Sequence, residues 1–127
     1  MRPKEVLFNL IRKAVHLPWL GSFIRWIFTH MSFVLPLNYL RKTDTLVAFY
    51  HPHPSYPIHI LLVPLRAISG LDDLTTGDAD FLTDLMECAK SLVKEFQLDQ
   101  KGYRLILNGG SYQDIPQLHF HLISEAK

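Results

Sequence analysis

Two histidines separated by one residue, near the end of the chain, have the types and spacing that catalysis by imidazole requires. Residues 117–123 read QLHFHLI, so polar and apolar side chains alternate. In a β-strand, alternate side chains face opposite ways, which predicts that Gln117, His119 and His121 share one face. An imidazole titrates near neutral pH, so one ring can be a nucleophile while its neighbour donates a proton. Incidental histidines on an exposed strand are the alternative interpretation.

A glycine-containing loop stands directly before these histidines. Residues 108–113 read NGGSYQ, which puts flexible glycines beside amide and hydroxyl side chains. Backbone N–H groups in such a turn can form an anion-binding nest. An ordinary turn between two strands is the other interpretation. Together, the nest and the histidines would place a phosphate group against a nucleophile.

Short runs of β-favouring residues predict the elements that position these groups. Strands are predicted at Leu37–Arg41, Leu46–Tyr50, Ile58–Pro64, Tyr103–Leu107 and Gln117–Ser124. Three prolines make residues 51–57 a rigid loop. Residues 80–96 have the period of an amphipathic helix whose inward side chains are Phe81, Leu82, Leu85, Met86, Ala89, Leu92 and Val93. The predicted fold class is therefore α+β: an antiparallel sheet of about five strands with one main packed helix.

The beginning of the chain differs from the rest in charge and hydrophobicity. Helical patterns over residues 4–16 and 20–33 predict an N-terminal helical extension, 1–35, before the main domain, 36–127. Residues 1–45 carry seven Lys and Arg against two acidic residues, a net charge of +5 that leaves −4 for the remainder. Contact of this basic end with anionic lipid, as at a membrane surface, or with nucleic acid is one interpretation, and a solvated helix face, which we favour, is the other. The apolar run 17–35 is not expected to span a membrane, because Arg25 lies near its centre.

Composition narrows the function classes further. The 127 residues are 48% hydrophobic and 20% charged, which suits one compact domain and not a disordered chain. A single cysteine, Cys88, excludes an internal disulfide framework and favours a reducing, cytoplasmic location. His51 and His53 raise the hypothesis of a metal site, but no carboxylate or thiolate has motif spacing to them. We therefore predict no metal, no other cofactor and no nucleic-acid partner.

Several short matches in the same order carry a resemblance to a known family. They are the spacing from Pro36 to Phe49, LVAF at 46–49, PIHILLVP at 57–64, IS at 68–69, KGYR at 101–104, Asn108, Gln113 and QLHFH at 117–121. Through them, residues 36–124 resemble the histidine triad (HIT) proteins, particularly the Hint branch of nucleoside phosphoramidate hydrolases. The resemblance implies a HIT-like fold, a homodimer whose sheets join, and purine nucleotide conjugates as substrates.

The resemblance also implies catalytic roles. The family pattern is His-φ-His-φ-His-φ-φ, where φ is apolar. His119 takes the middle, nucleophilic position, and His121 takes the third, which contacts the phosphate or the leaving group. Gln117 replaces the first histidine as a supporting residue that still donates and accepts hydrogen bonds. The implied reaction is attack on the α-phosphorus of a phosphoramidate or dinucleoside polyphosphate, through a nucleotidyl-histidine intermediate.

Three further residues match polar positions of the family's substrate site. His59 corresponds to an additional histidine on the neighbouring strand, with an ordinary core histidine as the alternative. Asn108 and Gln113 correspond to residues that contact ribose or phosphate. The resemblance therefore implies that all three bind substrate.

Other positions depart from the family pattern. Asp114 stands where the Hint branch has a serine near the leaving group, and it either acts as a general acid with a raised pKa or points away. Tyr50 and His51 stand where relatives have His and an Asp that binds the ribose hydroxyls. These departures leave two alternatives to an enzyme: a nucleotide-binding module with little turnover, and a membrane-surface or scaffold protein acting through its N-terminal helices.

Overall fold

The computed structural model describes residues 39–51 and 53–126, which form a five-stranded antiparallel sheet with helices on one face. The strands are β1 (Tyr39–Lys42), β2 (Leu46–Tyr50), β3 (Ile58–Pro64), β4 (Arg104–Leu107) and β5 (Phe120–Ser124). Their order across the sheet is β1-β2-β3-β5-β4. Between β3 and β4 lie the helix α1 (Ala79–Glu95) and the short helix α2 (Leu98–Lys101). The predicted α+β class is confirmed, and the predicted bounds of β2 and β3 are those observed.

The predictions for the N-terminus concern residues outside the described ranges. The helices at 4–16 and 20–33, the extension 1–35, the apolar run 17–35 and the membrane contact all stay predictions. Within the described ranges, no helix combines the length and hydrophobicity needed to span a bilayer.

One face of the sheet packs against α1. The buried side chains of this helix are Phe81, Leu85, Cys88, Ala89, Leu92 and Val93. They meet the alternate strand residues Leu46, Ala48, Ile60, Leu62, Phe120 and Leu122. Leu82 and Met86 are 37% and 51% exposed, so the prediction that they point inward is wrong. Both lie at the margin of the apolar arc of α1, which is wider than the part of the helix that the sheet covers.

The central strands are also buried on the face opposite α1. Val47 and Phe49 of β2 point to this second face and are 2% and 3% exposed. Leu61 and Val63 of β3 lie beside them, each 2% exposed. The second face is therefore apolar along the middle of the sheet, and the histidines lie on it where β2 ends and β3 begins.

Polar contacts anchor α1 to the sheet at several points. Thr45, directly before β2, donates a 2.6 Å hydrogen bond to Asp84 of the helix. Arg66, which follows β3, donates through Nη2 to both carboxylate oxygens of Asp78 at 2.8 and 2.7 Å. Asp78 immediately precedes α1.

The last part of the same helix is held from β1. Arg41 donates through Nε to Ser91 at 2.9 Å and through Nη2 to Glu95 at 2.8 Å. The helix is thus held to the sheet at its beginning, near Asp84 and at its end.

Candidate active site

Five histidines line one cavity at the end of the sheet's second face. His51 follows β2, His59 lies in β3, His121 lies in β5, and His119 directly precedes β5. They converge because β2, β3 and β5 are neighbours and the antiparallel order brings the end of β2 beside the beginning of β3. The cavity has a volume of about 200 Å³, and His53, Ser55, Asp114 and Ile115 complete its lining.

The ring of His119 is held by the backbone of the turn before it. Its Nδ1 atom lies 2.7 Å from the carbonyl oxygen of Gln117. A carbonyl oxygen only accepts, so Nδ1 carries the proton and the Nε2 of the neutral ring has a free lone pair. Burial lowers the pKa of His119, against smaller opposing effects of the Gln117 hydrogen bond and the charge of Asp114. At pH 7 the ring is therefore neutral, with Nε2 in its nucleophilic form.

His59 and His121 are joined by a direct hydrogen bond between their rings. The backbone N–H of Ser55 donates to Nδ1 of His59 at 3.0 Å, so the proton of the neutral ring is at Nε2. That Nε2 lies 2.9 Å from Nδ1 of His121, which accepts. His121 consequently carries its own proton at Nε2, a buried atom with no hydrogen-bond partner in the described part of the chain. His121 therefore has one N–H group that is not paired within that part of the chain.

His51 stacks over this pair of rings. Its ring centroid lies 4.3 Å from that of His59 and 6.2 Å from that of His121. Its Nδ1 accepts a 2.9 Å hydrogen bond from the backbone N–H of His53. The pKa of His51 is lowered to about 3, mainly by burial and to a smaller extent by the neighbouring imidazoles. The same two causes, opposed by the charge of Asp114, lower the pKa of His121 to about 4.

Asp114 places a carboxylate beside the histidines. It is exposed, and it forms no hydrogen bond or ion pair with any residue of the described ranges. Its charge raises the pKa of both His119 and His121. The described lining of the cavity contains no Lys or Arg, so its formal charge is −1 when the histidines are neutral. Asp114 thus lies in the lining of the histidine cavity, and the general-acid role stays a prediction.

Gln117 lies in the core and not on a strand face with the histidines. The last strand begins at Phe120, three residues after the predicted start. The Gln117 side chain is 1% exposed; its Oε1 accepts from the N–H of Ile68 at 3.2 Å, and its Nε2 donates to the Arg66 carbonyl at 2.9 Å. The prediction that Gln117 shares a strand face with His119 and His121 is therefore wrong. Gln117 lies before the strand begins, and its hydrogen bonds direct its side chain into the core. Gln117 supports the site through its backbone carbonyl, which holds His119.

Gln113 orders the loop beside the cavity. Its Nε2 donates to the carbonyl oxygens of Ser69 at 2.6 Å and Ile115 at 2.9 Å. A Cβ atom at Gly70 would lie 3.1 Å from Gln113 Oε1, so glycine permits this close approach. Gln113 lines a neighbouring cleft of about 860 Å³ and not the histidine cavity. The structure assigns this side chain to holding the loop, and its predicted contact with substrate has no support from the geometry.

The predicted anion nest does not form at the histidines. The loop makes a 3-10 turn at Gly110–Tyr112. The N–H groups of Tyr112 and Gln113 donate to the carbonyl oxygens of Gly109 and Gly110, at 3.1 Å each. The glycines line the neighbouring cleft and are not among the residues around the histidines. The local turn therefore uses two of the loop's N–H groups for its own hydrogen bonds.

Tyr50 and Asn108 do not join the cavity. Tyr50 is on the α1 face of β2, where its ring centroid lies 6.2 Å from that of Phe96. Because strand side chains alternate, Tyr50 points away from the face that carries the histidines, and we remove it from the candidate site. Asn108 directly follows β4 at the edge of the sheet and is absent from the described lining of the cavity. Its contact with substrate stays a prediction.

Three contributors to the cavity were not predicted as site residues, and His53 is one of them, since it was considered only for a metal site. Ser55 sets the proton position on His59 through its backbone N–H, a role that no side-chain pattern reveals. Ile115 is 3% exposed and closes the cavity beside Asp114.

In residues 39–51 and 53–126, no group of three or more His, Cys, Asp or Glu side chains is arranged to hold a metal ion. Both ring nitrogens of His59 are already engaged in hydrogen bonds.

Comparisons with known proteins agree with this architecture. The family model described as HIT domain matches residues 32–127. An uncharacterized HIT-like protein of Buchnera aphidicola subsp. Baizongia pistaciae is 31% identical over 96 residues, which cover 74% of this chain and 86% of that protein. The purine nucleoside phosphoramidase of Escherichia coli is 26% identical over 91 residues, 70% of this chain and 76% of that protein. A histidine triad protein structure from Clostridium difficile has a TM-score of 0.71 and 28% identity, covering 80% and 90% of the two chains.

Proposed function

The chain belongs to the HIT domain family, and we propose that it is a nucleotide hydrolase or nucleotidyl transferase with His119 as its nucleophile. One observation carries the proposal: the free Nε2 of a neutral His119 lies beside the ring of His121, whose Nε2 proton has no partner in the described chain. The two ring centroids are 5.0 Å apart. A nucleophile and a hydrogen-bond donor therefore share one small cavity, as nucleophilic catalysis at phosphorus requires.

The proposed reaction is attack of His119 Nε2 on the α-phosphorus of a nucleotide conjugate. A bond from Nε2 to phosphorus forms as the bond from phosphorus to the leaving nitrogen or oxygen breaks. The leaving group departs with that electron pair and takes a proton from water. Water then attacks the nucleotidyl-histidine, the electron pair of the N–P bond returns to Nε2, and a proton is released to solvent.

The neighbouring groups stabilise the charges that develop. The Gln117 carbonyl accepts from Nδ1 of His119, which favours the positive charge that the ring gains on attack. The Nε2–H of His121 donates to a phosphoryl oxygen, whose negative charge grows in the transition state. The hydrogen bonds from Ser55 to His59 and from His59 to His121 keep that proton on Nε2 of His121. We propose AMP phosphoramidates and dinucleoside polyphosphates as the substrate classes.

The nucleophile is tested with His119→Ala. We expect kcat/KM for an AMP phosphoramidate to fall by roughly three orders of magnitude or more, because the covalent route is lost. Gln100→Ala, on the exposed side of α2, is the matched control and should retain the wild-type rate. Mass spectrometry of enzyme quenched at alkaline pH should find the nucleotidyl adduct on the peptide that contains His119. Equal turnover by wild type and His119→Ala would contradict the proposal.

A nucleotide-binding module with little turnover is the second candidate function. The observation in its favour is Asp114, whose negative charge beside His119 opposes the approach of an anionic phosphate. Calorimetry that finds AMP binding, together with no hydrolysis of either substrate class, would favour this candidate over the enzyme.

We also propose a homodimer formed through α1 and β4. β4 is the last strand in the sheet order and pairs on one side only, with β5, within the described sheet. A groove of about 580 Å³ runs between it and the exposed side of α1, where Met86 and Tyr103 are each 51% exposed. A second copy would cover both the strand edge and these apolar side chains. The joined sheets that the family resemblance implies support the same arrangement.

A further inference from the structure

We infer that Asp114 makes the site select nucleotide conjugates whose leaving group is positively charged, such as an amine-bearing chain, over conjugates whose leaving group is anionic. The inference rests on the proposed reaction at His119 and deepens it, because it names the class of leaving group. Four properties of Asp114 support it: the charge around it, its anchored backbone, a carboxylate that no described residue pairs with, and its position between the cavity and a neighbouring cleft.

The charge of the cavity comes from Asp114. Burial lowers the pKa of His51, His59, His119 and His121, so these four rings are neutral at pH 7. No Lys or Arg stands among the described residues that line the cavity. The α-phosphate of a conjugate already brings one negative charge next to this carboxylate. A further negative charge on the leaving group adds repulsion, whereas a positive charge offsets it.

The backbone around Asp114 is anchored on both sides. Gln113 before it donates to the carbonyl oxygens of Ser69 and Ile115. Ile115 after it is 3% exposed and packs into the protein. The carboxylate, in contrast, has no hydrogen-bond or ionic partner in the described ranges. Asp114 therefore holds a negative charge at a defined position, and no other residue of that part of the chain neutralises this charge.

The position of Asp114 puts this charge where the leaving group must pass. The histidine cavity, at about 200 Å³, is smaller than the roughly 300–1,000 Å³ typical of ligand pockets, so much of a conjugate extends outside it. Asp114 lines both this cavity and the neighbouring cleft of about 860 Å³. Asp72 and Asp73 line that cleft too, and no Lys or Arg is among its described lining. A leaving group that enters the cleft from His119 thus passes Asp114 into a region of negative potential.

The test uses three AMP phosphoramidates with alkyl chains of equal length that end in an ammonium, a methyl or a carboxylate group. For the wild-type chain we expect kcat/KM to decrease in that order. In Asp114→Asn, which keeps the size of the side chain, the ratio of the ammonium to the carboxylate substrate should fall by about tenfold. Raising the salt concentration should reduce the wild-type ratio more than the Asp114→Asn ratio, because exposed charges are screened.

The matched control is Asp44→Asn, which removes one exposed carboxylate in the turn before β2, at the far end of that strand from the histidines. It should retain the wild-type ratio. A ratio that Asp114→Asn leaves unchanged, or that Asp44→Asn lowers equally, overturns the inference. Calorimetry with His119→Ala, which is expected to lose turnover, gives the dissociation constants of the three conjugates, and equal constants for the ammonium and carboxylate conjugates overturn the inference as well. Failure of the proposed function is seen separately, as undiminished turnover of the methyl substrate by His119→Ala.

Discussion

His59 donates from Nε2 to Nδ1 of His121 across 2.9 Å, and this hydrogen bond decides where the second ring carries its proton. The two residues belong to the paired strands β3 and β5, where His59 is opposite Ile123 and His121 is opposite Leu61. They are therefore diagonal neighbours on the same face, close enough for their rings to meet. Through this bond, the backbone N–H of Ser55 influences which nitrogen of His121 carries the proton.

His59→Phe should lower kcat by about a hundredfold, at the lower end of the range for loss of one hydrogen-bond donor to a developing oxyanion. The phenyl ring fills the space of the imidazole but does not donate to His121, whose proton can then occupy either nitrogen. His59→Gln retains a donor and should recover part of the rate. Nitrogen NMR shifts of the His121 ring report the proton position directly. A His121 ring that keeps its Nε2 proton in His59→Phe would show that His59 is not a positioning residue.

Gln117→Leu should destabilise the fold by roughly 1–3 kcal/mol, the cost of leaving buried polar groups without partners. Leucine preserves the side-chain volume but leaves the Ile68 N–H and the Arg66 carbonyl without the bonds that Gln117 now makes. Denaturant unfolding measures the change. Gln100→Leu, at an exposed position of α2, is the control and should change stability by only a few tenths of that amount. Equal stability of the two variants would contradict the supporting role of Gln117.

The free energy of unfolding should fall as the pH is lowered from about 7 toward 4, and His51 should contribute to this loss. The pKa of His51 is about 3 in the folded chain, against about 6.5 for an unfolded histidine. Between about pH 6.5 and pH 3, His51 is protonated in the unfolded state but neutral in the folded state. Lowering the pH through this window therefore favours unfolding. His51→Asn lacks this group, and its stability should depend less on pH in that window. Parallel pH curves for the two chains would show that His51 is not held neutral.

Met86→Glu should weaken self-association at least about tenfold, because it places a charge in the groove between α1 and β4. Leu71→Glu introduces the same charge at a residue that is 62% exposed and outside that groove, so it should leave association unchanged. Sedimentation equilibrium of both variants and of the wild type gives the dissociation constants. A wild-type chain that stays monomeric at every concentration would refute the dimer.

Local periodicity carries enough information to predict the main elements. β2 and β3 are strongly apolar runs bounded by turn residues, and the bounds predicted for both are those observed. α1 follows from a helical spacing of apolar residues over almost the same range. The exposure of Leu82 and Met86 was not predictable, because the width of the buried arc depends on how much of the helix the sheet covers.

The candidate site, like the fold, has some features that local sequence patterns predict and others that depend on distant segments. The spacing of His119 and His121 is visible in the printed residues, and the resemblance to the HIT proteins indicates which chemistry to expect. Three facts emerge from the folded chain alone: Tyr50 lies on the α1 face, Gln117 is buried, and Asp114 shares the histidine cavity. Local patterns miss these facts because a ring's proton position and a side chain's surroundings depend on atoms supplied by other segments. Those atoms come from Ser55, from β3 and from the turn before β5. The pattern QLHFHLI does not predict their positions.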